Sequence, residues 1–394
     1  MKDSLLANNA QFSEALYKKM QQIDPAVAGM ELFEFRYALE NVTPQDDWHC
    51  VTVLPAKNIE QMINDSNFYT AIATKPKREG RLVLDEKILS LLQMLFTGLV
   101  SGAYSLEWIK QHFYFDVRGF YFLHRTRYYS PTKLEKLFGT PYRAFEKKQR
   151  QLESLQAIGY QAFKAANEEV DNSFIKLVQE LVESKGVPLI IAIAGQTAAG
   201  KTEITARLHE VFIAAGKATT TLEMDNFFLD RDYREARGID SIGKEALHYH
   251  LLQQCLADLC AGKKILTPRY DFIQGTSSHN LQSELKPGCQ SIEVHPADII
   301  FMEGNFPFLL PEIAGLIGVK VVYLTYDAVR LKRKWKRDMD YRKKYDLYYL
   351  LNRYFREQYL MAEQVYRPQV EICDILVDTT EATLWITPAI KNLL

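Results

Sequence analysis

One stretch fixes more of this chain's architecture than any other: Leu189-Ile-Ile-Ala-Ile-Ala194, followed at once by Gly195-Gln-Thr-Ala-Ala-Gly-Lys-Thr202. The first six residues are apolar on both faces, as suits a strand buried on both sides of a parallel sheet. The next eight match G-x-x-x-x-G-K-[ST] without a mismatch, ahead of a helix expected from Glu203 to about Ala214. Gly195 and Gly200 allow backbone conformations closed to other residues. The N–H groups of Gln196, Thr197, Ala198 and Ala199 can then point inward as an anion nest. The helix N-terminus adds partial positive charge. Lys201 is placed to neutralise β- and γ-phosphate oxygens, and the Thr202 hydroxyl to ligate Mg²⁺.

The pattern around this loop extends the sheet. Strands are expected at Val187–Ala194, Thr219–Met224, Ala297–Met302, Val319–Thr325 and Cys373–Val377, separated by helical segments. That alternation reads as a sheet built from βαβ units. Ligands of such sheets bind beyond the carboxyl ends of the strands. Asp225 follows the second strand, where it could accept a proton from an attacking hydroxyl. Glu303 ends the run Ala297-Asp-Ile-Ile-Phe-Met-Glu303, a Walker-B-like place from which an acid holds Mg²⁺. Between Arg330 and Lys344 lie nine basic residues and two acids. Arg333 and Arg337 there share one helical face and offer charge neutralisation to a transferring phosphoryl group. A solvated basic helix or a weak nucleic-acid patch is the alternative reading of that segment.

The other half of the 394 residues has no such motif. The length argues for two or three domains, divided here as 1–140, connecting helices over 141–185, and 186–394. Trp48 to Leu54 reads as a strand. Phe113-Tyr-Phe and Phe120-Tyr-Phe flank Asp116-Val-Arg-Gly119, a hairpin pattern. Arg118 to Arg125 faintly resembles an RNA-recognition strand, but Tyr121 and Arg125 break that pattern, and core aromatics are the better reading. Ile88 to Leu106 carries no charge and spaces Gly98 and Gly102 as GxxxG, yet its Ser, Thr and Gln content favours a buried helix over a membrane span. From Pro141, Phe145, Leu152, Leu155, Phe163 and Val170 suggest a helix. A second is expected after Asp171-Asn172, with Phe174, Leu177, Val178 and Leu181 on one face and Gly186 past its end. Forty-eight basic against 49 acidic side chains leave no bulk footprint for nucleic acid. Five cysteines without a C-x-x-C pair read as reduced thiols of a cytoplasmic protein.

The order of motifs resembles the uridine kinase/phosphoribulokinase family of P-loop small-molecule kinases, from about Pro188 to Val377. Met224-Asp-Asn-Phe-Phe228 is similar to the family's Asp-x-Phe-Tyr segment. Thr267-Pro-Arg-Tyr-Asp-Phe272 is close to its Pro-x-Tyr-Asp-Phe, and Arg333-Lys-Trp-Lys-Arg-Asp338 to its Arg-Arg-x-x-Arg-Asp lid. The last two favour the uridine-kinase branch. The resemblance implies an α/β fold with a P-loop-type parallel sheet; the patterns ahead of it read as a separate α+β N-terminal domain. It implies transfer of the ATP γ-phosphoryl group to a primary hydroxyl, with ATP and Mg²⁺ required. Asp225 would be the base, Lys201 the phosphate clamp, Thr202 and Glu303 the Mg²⁺ side, and Arg333 and Arg337 the lid. Phe228, Asp240, Tyr270 and Phe272 would hold the acceptor.

The chain departs from that pattern at three places. Gly275 stands where uridine kinases commonly have a pyrimidine-reading His, and Phe228 where they have a Tyr. Asp240-Ser-Ile-Gly-Lys244 aligns with their Asn-Phe-Asp-His-Pro, so the ribose-binding acid is missing or displaced to Asp240. The expected acceptor is therefore a nucleoside such as uridine or cytidine, with a sugar, sugar phosphate, glycerate or pantothenate as alternatives. A non-catalytic, nucleotide-gated RNA-binding protein is the rival from another class. A homo-oligomer is compatible with the sequence.

Overall fold

A computed structural model describes residues 6–43, 47–65, 68, 75–76, 82–125, 128–146, 165, 167–239, 241–325, 327–342 and 358–394. The chain divides into two compact units, residues 1–126 with 346–360 and residues 127–345 with 361–394.

The first unit is mainly helical: α1 (Asn9–Met20), α2 (Leu32–Val42), α3 (Ala56–Asn64), α4 (Glu86–Ser101) and α5 (Leu106–His112), then a hairpin of β1 (Phe113–Asp116) and β2 (Tyr121–His124). The apolar run at 88–106 becomes α4, which buries Ile88, Leu91, Leu92, Leu95, Phe96 and Leu99. Its two glycines have local reasons. A Cβ on Gly98 would lie 2.1 Å from the Tyr104 ring, and Gly102 ends the helix at φ 76°. No described helix is long and apolar enough to cross a membrane. The hairpin aromatics Phe120 and Phe122 pack against Phe96, Phe115 and Phe35, and Tyr121 is buried as well, which is core packing rather than a base-stacking face. The strand expected over Trp48–Leu54 does not form; Trp48–Cys50 is a single 3₁₀ turn. Trp48 is drawn inward there, stacked 4.1 Å from Phe12 with its indole N–H donated to Asn9.

The second unit is built on a seven-stranded sheet. Upstream of the nest lie α6 (Pro131–Phe138), β3 (Arg143–Ala144) and α7 (Glu168–Lys185), then β4 (Leu189–Ala194) and α8 (Lys201–Ala214). After them come β5 (Thr219–Glu223), α9 (Arg231–Ala236), α10 (Tyr249–Cys260), β6 (Ile265–Thr267), β7 (Tyr270–Asp271), β8 (Thr276–Ser277) and β9 (Ile292–Val294). The chain closes with β10 (Ile299–Gly304), β11 (Val319–Leu324), α11 (Asp327–Asp340), β12 (Ile375–Asp378) and β13 (Thr383–Ile386). The sheet order is β3-β13-β12-β11-β4-β10-β5, parallel from β12 to β5 and antiparallel at β12–β13 and β13–β3. All five strands expected from this half are present. Side-chain alternation sends Ile190 and Ala192 of β4 toward α10 (Leu252, Leu256, Leu259), and Ile191 and Ile193 toward α7 and α8. Each fully buried Leu, Ile or Phe contributes roughly 1.5–3 kcal/mol.

The division expected at 140 and 185 falls elsewhere. Leu134 and Phe138 of α6 pack into one core of the sheet, and Phe174, Leu177, Val178 and Leu181 of α7 into the other. Arg143–Ala144, expected as helix, forms the edge strand. The described helices α6 and α7 therefore belong with the sheet, because their apolar faces are buried by it. The part of the helix expected from Pro141 that runs through 147–164 lies outside the described residues.

Candidate active site

The carboxyl ends of β4, β5 and β10 are hydrogen-bonded neighbours in the sheet, so whatever follows them converges. After β4 the chain enters the Gly195–Gly200 loop. Gly200 sits at φ 108°, a left-handed conformation only glycine adopts at low cost. Gly195 is required for a different reason: a Cβ there would come 2.3 Å from the Tyr323 carbonyl oxygen on β11. The left-handed bend inside the loop is taken by Ala198, at φ 63°. Gln196 is fully buried, and among the described residues neither polar atom of its amide has a hydrogen-bond partner.

Lys201 donates to the carbonyls of Gly195 at 2.9 Å and Gln196 at 3.2 Å, tying the loop's start to its end. Burial lowers its pKa, while the carboxylates of Asp225 and Glu303 act to raise it. Thr202 donates its hydroxyl to Glu303 Oε1 at 3.1 Å. Burial pushes the Glu303 carboxyl up to about 7, against the pull of Lys201 and with a further push from Glu223 and Asp225. Glu303 Oε2 and Asp225 Oδ1 are buried oxygens without a hydrogen-bond partner among the described residues. Buried polar atoms are rarely left unsatisfied. Two such oxygens beside a threonine hydroxyl and a lysine ammonium are the donor set of a hard divalent cation with a phosphate.

Asp225 lies on a 3₁₀ turn, Met224–Phe227, directly after β5. Asn226 fixes that turn, donating to Glu223 at 3.1 Å and accepting the Tyr270 N–H at 3.2 Å. Phe228 packs on Tyr270 (5.9 Å between ring centroids) and Tyr270 on Phe272 (5.0 Å). The expected acceptor residues Phe228, Tyr270 and Phe272 thus form one aromatic wall. Asp240 lies outside the described residues.

On α11, Arg333 is buried and interacts electrostatically with Glu203 in the first turn of α8. Arg337 acts on Lys201 and lies 3.7 Å from Asp338. Both expected lid arginines therefore act on the loop and its helix. Sequence reasoning missed two groups. Glu223, its carboxyl pushed up by burial and by Asp225, had a usable signal as a strand-end acid two residues before Asp225. Tyr366, whose hydroxyl lies against the Thr197 amide and feels Asp225, had none.

A nucleotide-phosphate cradle at the end of a parallel sheet, with a free carboxylate beside it, defines a P-loop kinase. The chain belongs to the phosphoribulokinase/uridine kinase family, whose profile matches residues 190–384. A uridine kinase of Lactobacillus helveticus is 31% identical over 201 residues, covering 48% of this chain and 86% of that one. A uridine kinase of Brevibacillus brevis is 31% identical over 160 residues, covering 40% and 69%. Among solved structures, D-glycerate 3-kinase from Cryptococcus neoformans is similar at a TM-score of 0.38 and 13% identity, over 54% of this chain and 97% of that one.

Proposed function

We propose that this protein transfers the γ-phosphoryl group of ATP to a primary hydroxyl of a small acceptor, in the cytoplasm. The observation that carries the reading is the meeting of Asp225, Lys201 and the Thr202–Glu303 pair beyond β4, β5 and β10. The amides of residues 195–200 and the Lys201 ammonium hold the phosphates. Thr202 and Glu303 would hold Mg²⁺, which when bound screens charge between the phosphate oxygens. The acceptor hydroxyl oxygen attacks the γ-phosphorus as the bond to the ADP oxygen breaks, and Asp225 takes the hydroxyl proton. Arg333 and Arg337 balance the charge that develops on the transferring group. Five cysteines without a C-x-x-C pair support the compartment.

A pyrimidine nucleoside is the acceptor that the uridine kinases among the relatives support. A second reading, another hydroxyl compound, is favoured by the position of Gly275: its Cα is hemmed by the Arg231 guanidinium, 2.5 Å from where a Cβ would stand. Its φ of 79° also strains any residue with a side chain, so the position offers none to read a base edge.

The test is ADP release with Mg²⁺ across uridine, cytidine, sugars, sugar phosphates, glycerate and pantothenate. Acceptor-dependent ADP is the expected result. RNA binding that weakens with salt, with no turnover of any acceptor, would replace this reading with the non-catalytic one.

A further inference from the structure

Two arginines at the acceptor wall meet no carboxylate among the described residues. Arg234 of α9 is 7% exposed. Its guanidinium donates to the Leu229 carbonyl at 3.1 Å, the Ser241 hydroxyl at 2.8 Å and the Tyr270 hydroxyl at 3.3 Å, and lies 5.2 Å from the Phe228 ring centroid. Every one of these partners is neutral. Arg231, three residues earlier, donates to the Phe272 carbonyl at 3.1 Å, and its own N–H to the Gly275 carbonyl at 2.7 Å. Among the described residues neither arginine has a carboxylate within ion-pair distance.

Two other arginines of the chain are paired with carboxylates. Buried Arg207 meets Asp171 at 2.6 Å, and Arg118 meets Asp116 at 2.5 Å. Asp230, the residue next to Arg231, is taken by Lys286 at 2.8 Å. A guanidinium stays charged at any pH a cell reaches, and an unpaired charge removed from water costs several kcal/mol. Buried Arg234 meets that cost, whereas Arg231 is half-buried, so its charge keeps access to water and to an anionic ligand. Arg231 uses one side-chain donor on Phe272, leaving most of its fork for a carboxylate or phosphate. Gly275, at φ 79° and without a side chain, is what gives that fork its room.

We infer that the acceptor of this kinase bears an anionic group, a carboxylate or a phosphate, in addition to the hydroxyl it presents to Asp225, and that Arg231 binds that group. The inference rests on the phosphoryl-transfer reading and extends its second acceptor class. Arg234 acts behind Arg231 as a positioning residue, its fork already spent on neutral oxygens.

The experiment pairs initial rates of ADP release with calorimetric binding for two anionic acceptors, glycerate and ribose 5-phosphate, and three neutral ones, glycerol, uridine and cytidine. The full chain and its Arg231→Gln and Arg231→Lys variants are compared. At least one anionic acceptor is expected to exceed every neutral one tenfold or more in kcat/KM. Arg231→Gln should raise its KM at least tenfold with kcat within about threefold and the ATP KM unmoved, and Arg231→Lys should recover part of the loss. Which anionic acceptor responds separates carboxylate from phosphate. Uridine or cytidine turned over as well as either anion, or an anionic KM indifferent to Arg231→Gln, would overturn the inference while leaving the kinase intact. Anion binding lost in Arg231→Gln without any turnover would keep the anion subsite and sink the phosphoryl-transfer reading. No binding and no turnover of any acceptor would overturn both.

Discussion

At the scale of single residues, the site is a contest between desolvation and nearby charge. Glu303 sits in that contest with its carboxyl pushed up to about 7 from an ordinary 4.5, burial being the main cause. The folded protein therefore holds this proton where the unfolded chain has released it. The associated stability is full below about 4.5 and is lost as pH rises to about 7. Glu303→Gln, which mimics the protonated form, should gain stability over the parent by on the order of a few kcal/mol between pH 5 and pH 8. Paired melts at the two pH values check this, and Asp171, raised to about 7 by burial, cancels because both proteins keep it. The same proton opposes cation binding, so the Mg²⁺ concentration for half-maximal rate should climb as pH falls below 7. Asp225 answers to a different measurement. Asp225→Asn should lower kcat by about 10²–10⁴ with ATP affinity held, as befits a group used in the chemical step; equal activity would remove it as the base. Lys201→Ala should damage ATP binding and turnover together.

At the scale of elements, what was legible in the sequence was what is local. The nest could be read because strand, loop and helix are contiguous, and β4 and β10 because burial on both faces leaves them uniformly apolar. Trp48–Leu54 misled because β-branched residues report a preference for packing, and one tryptophan stacked on Phe12 outweighs it. The reason for Gly195 was invisible, since it depends on the Tyr323 carbonyl of β11. Gly195→Ala should therefore both lower the melting temperature and weaken ATP binding tenfold or more, because backbone meets backbone and no side chain can yield. Gly275 stands out in the sequence as a departure from the family pattern, but Arg231 and its contact with Gly275 escaped notice for the same reason: 44 positions separate them, and the contact exists only once α9 and the β7–β8 turn are assembled.

At the scale of the whole molecule, the catalytic unit is larger than its family. The family profile begins at residue 190, yet α7, which lies before it, supplies Asp171. That carboxylate is fully buried, takes the Tyr323 hydroxyl at 2.8 Å and the Arg207 guanidinium at 2.6 Å, and so fastens α8 to β11. Asp171→Ala strands the Arg207 charge and should cost about 3–5 kcal/mol, read as a lowered midpoint in urea.

The β3–β13 pairing at the sheet's edge sets a limit of another kind. Arg143–Ala144 meets Thr383–Leu384 across roughly 240 positions of chain. Contacts that distant demand the largest loop closure and are rewarded last. This edge should be unformed at the folding transition state, so that Leu384→Ala accelerates unfolding and leaves the refolding rate nearly untouched. The lifetime of the folded enzyme, rather than its rate of birth, is then set where its most distant segments are joined.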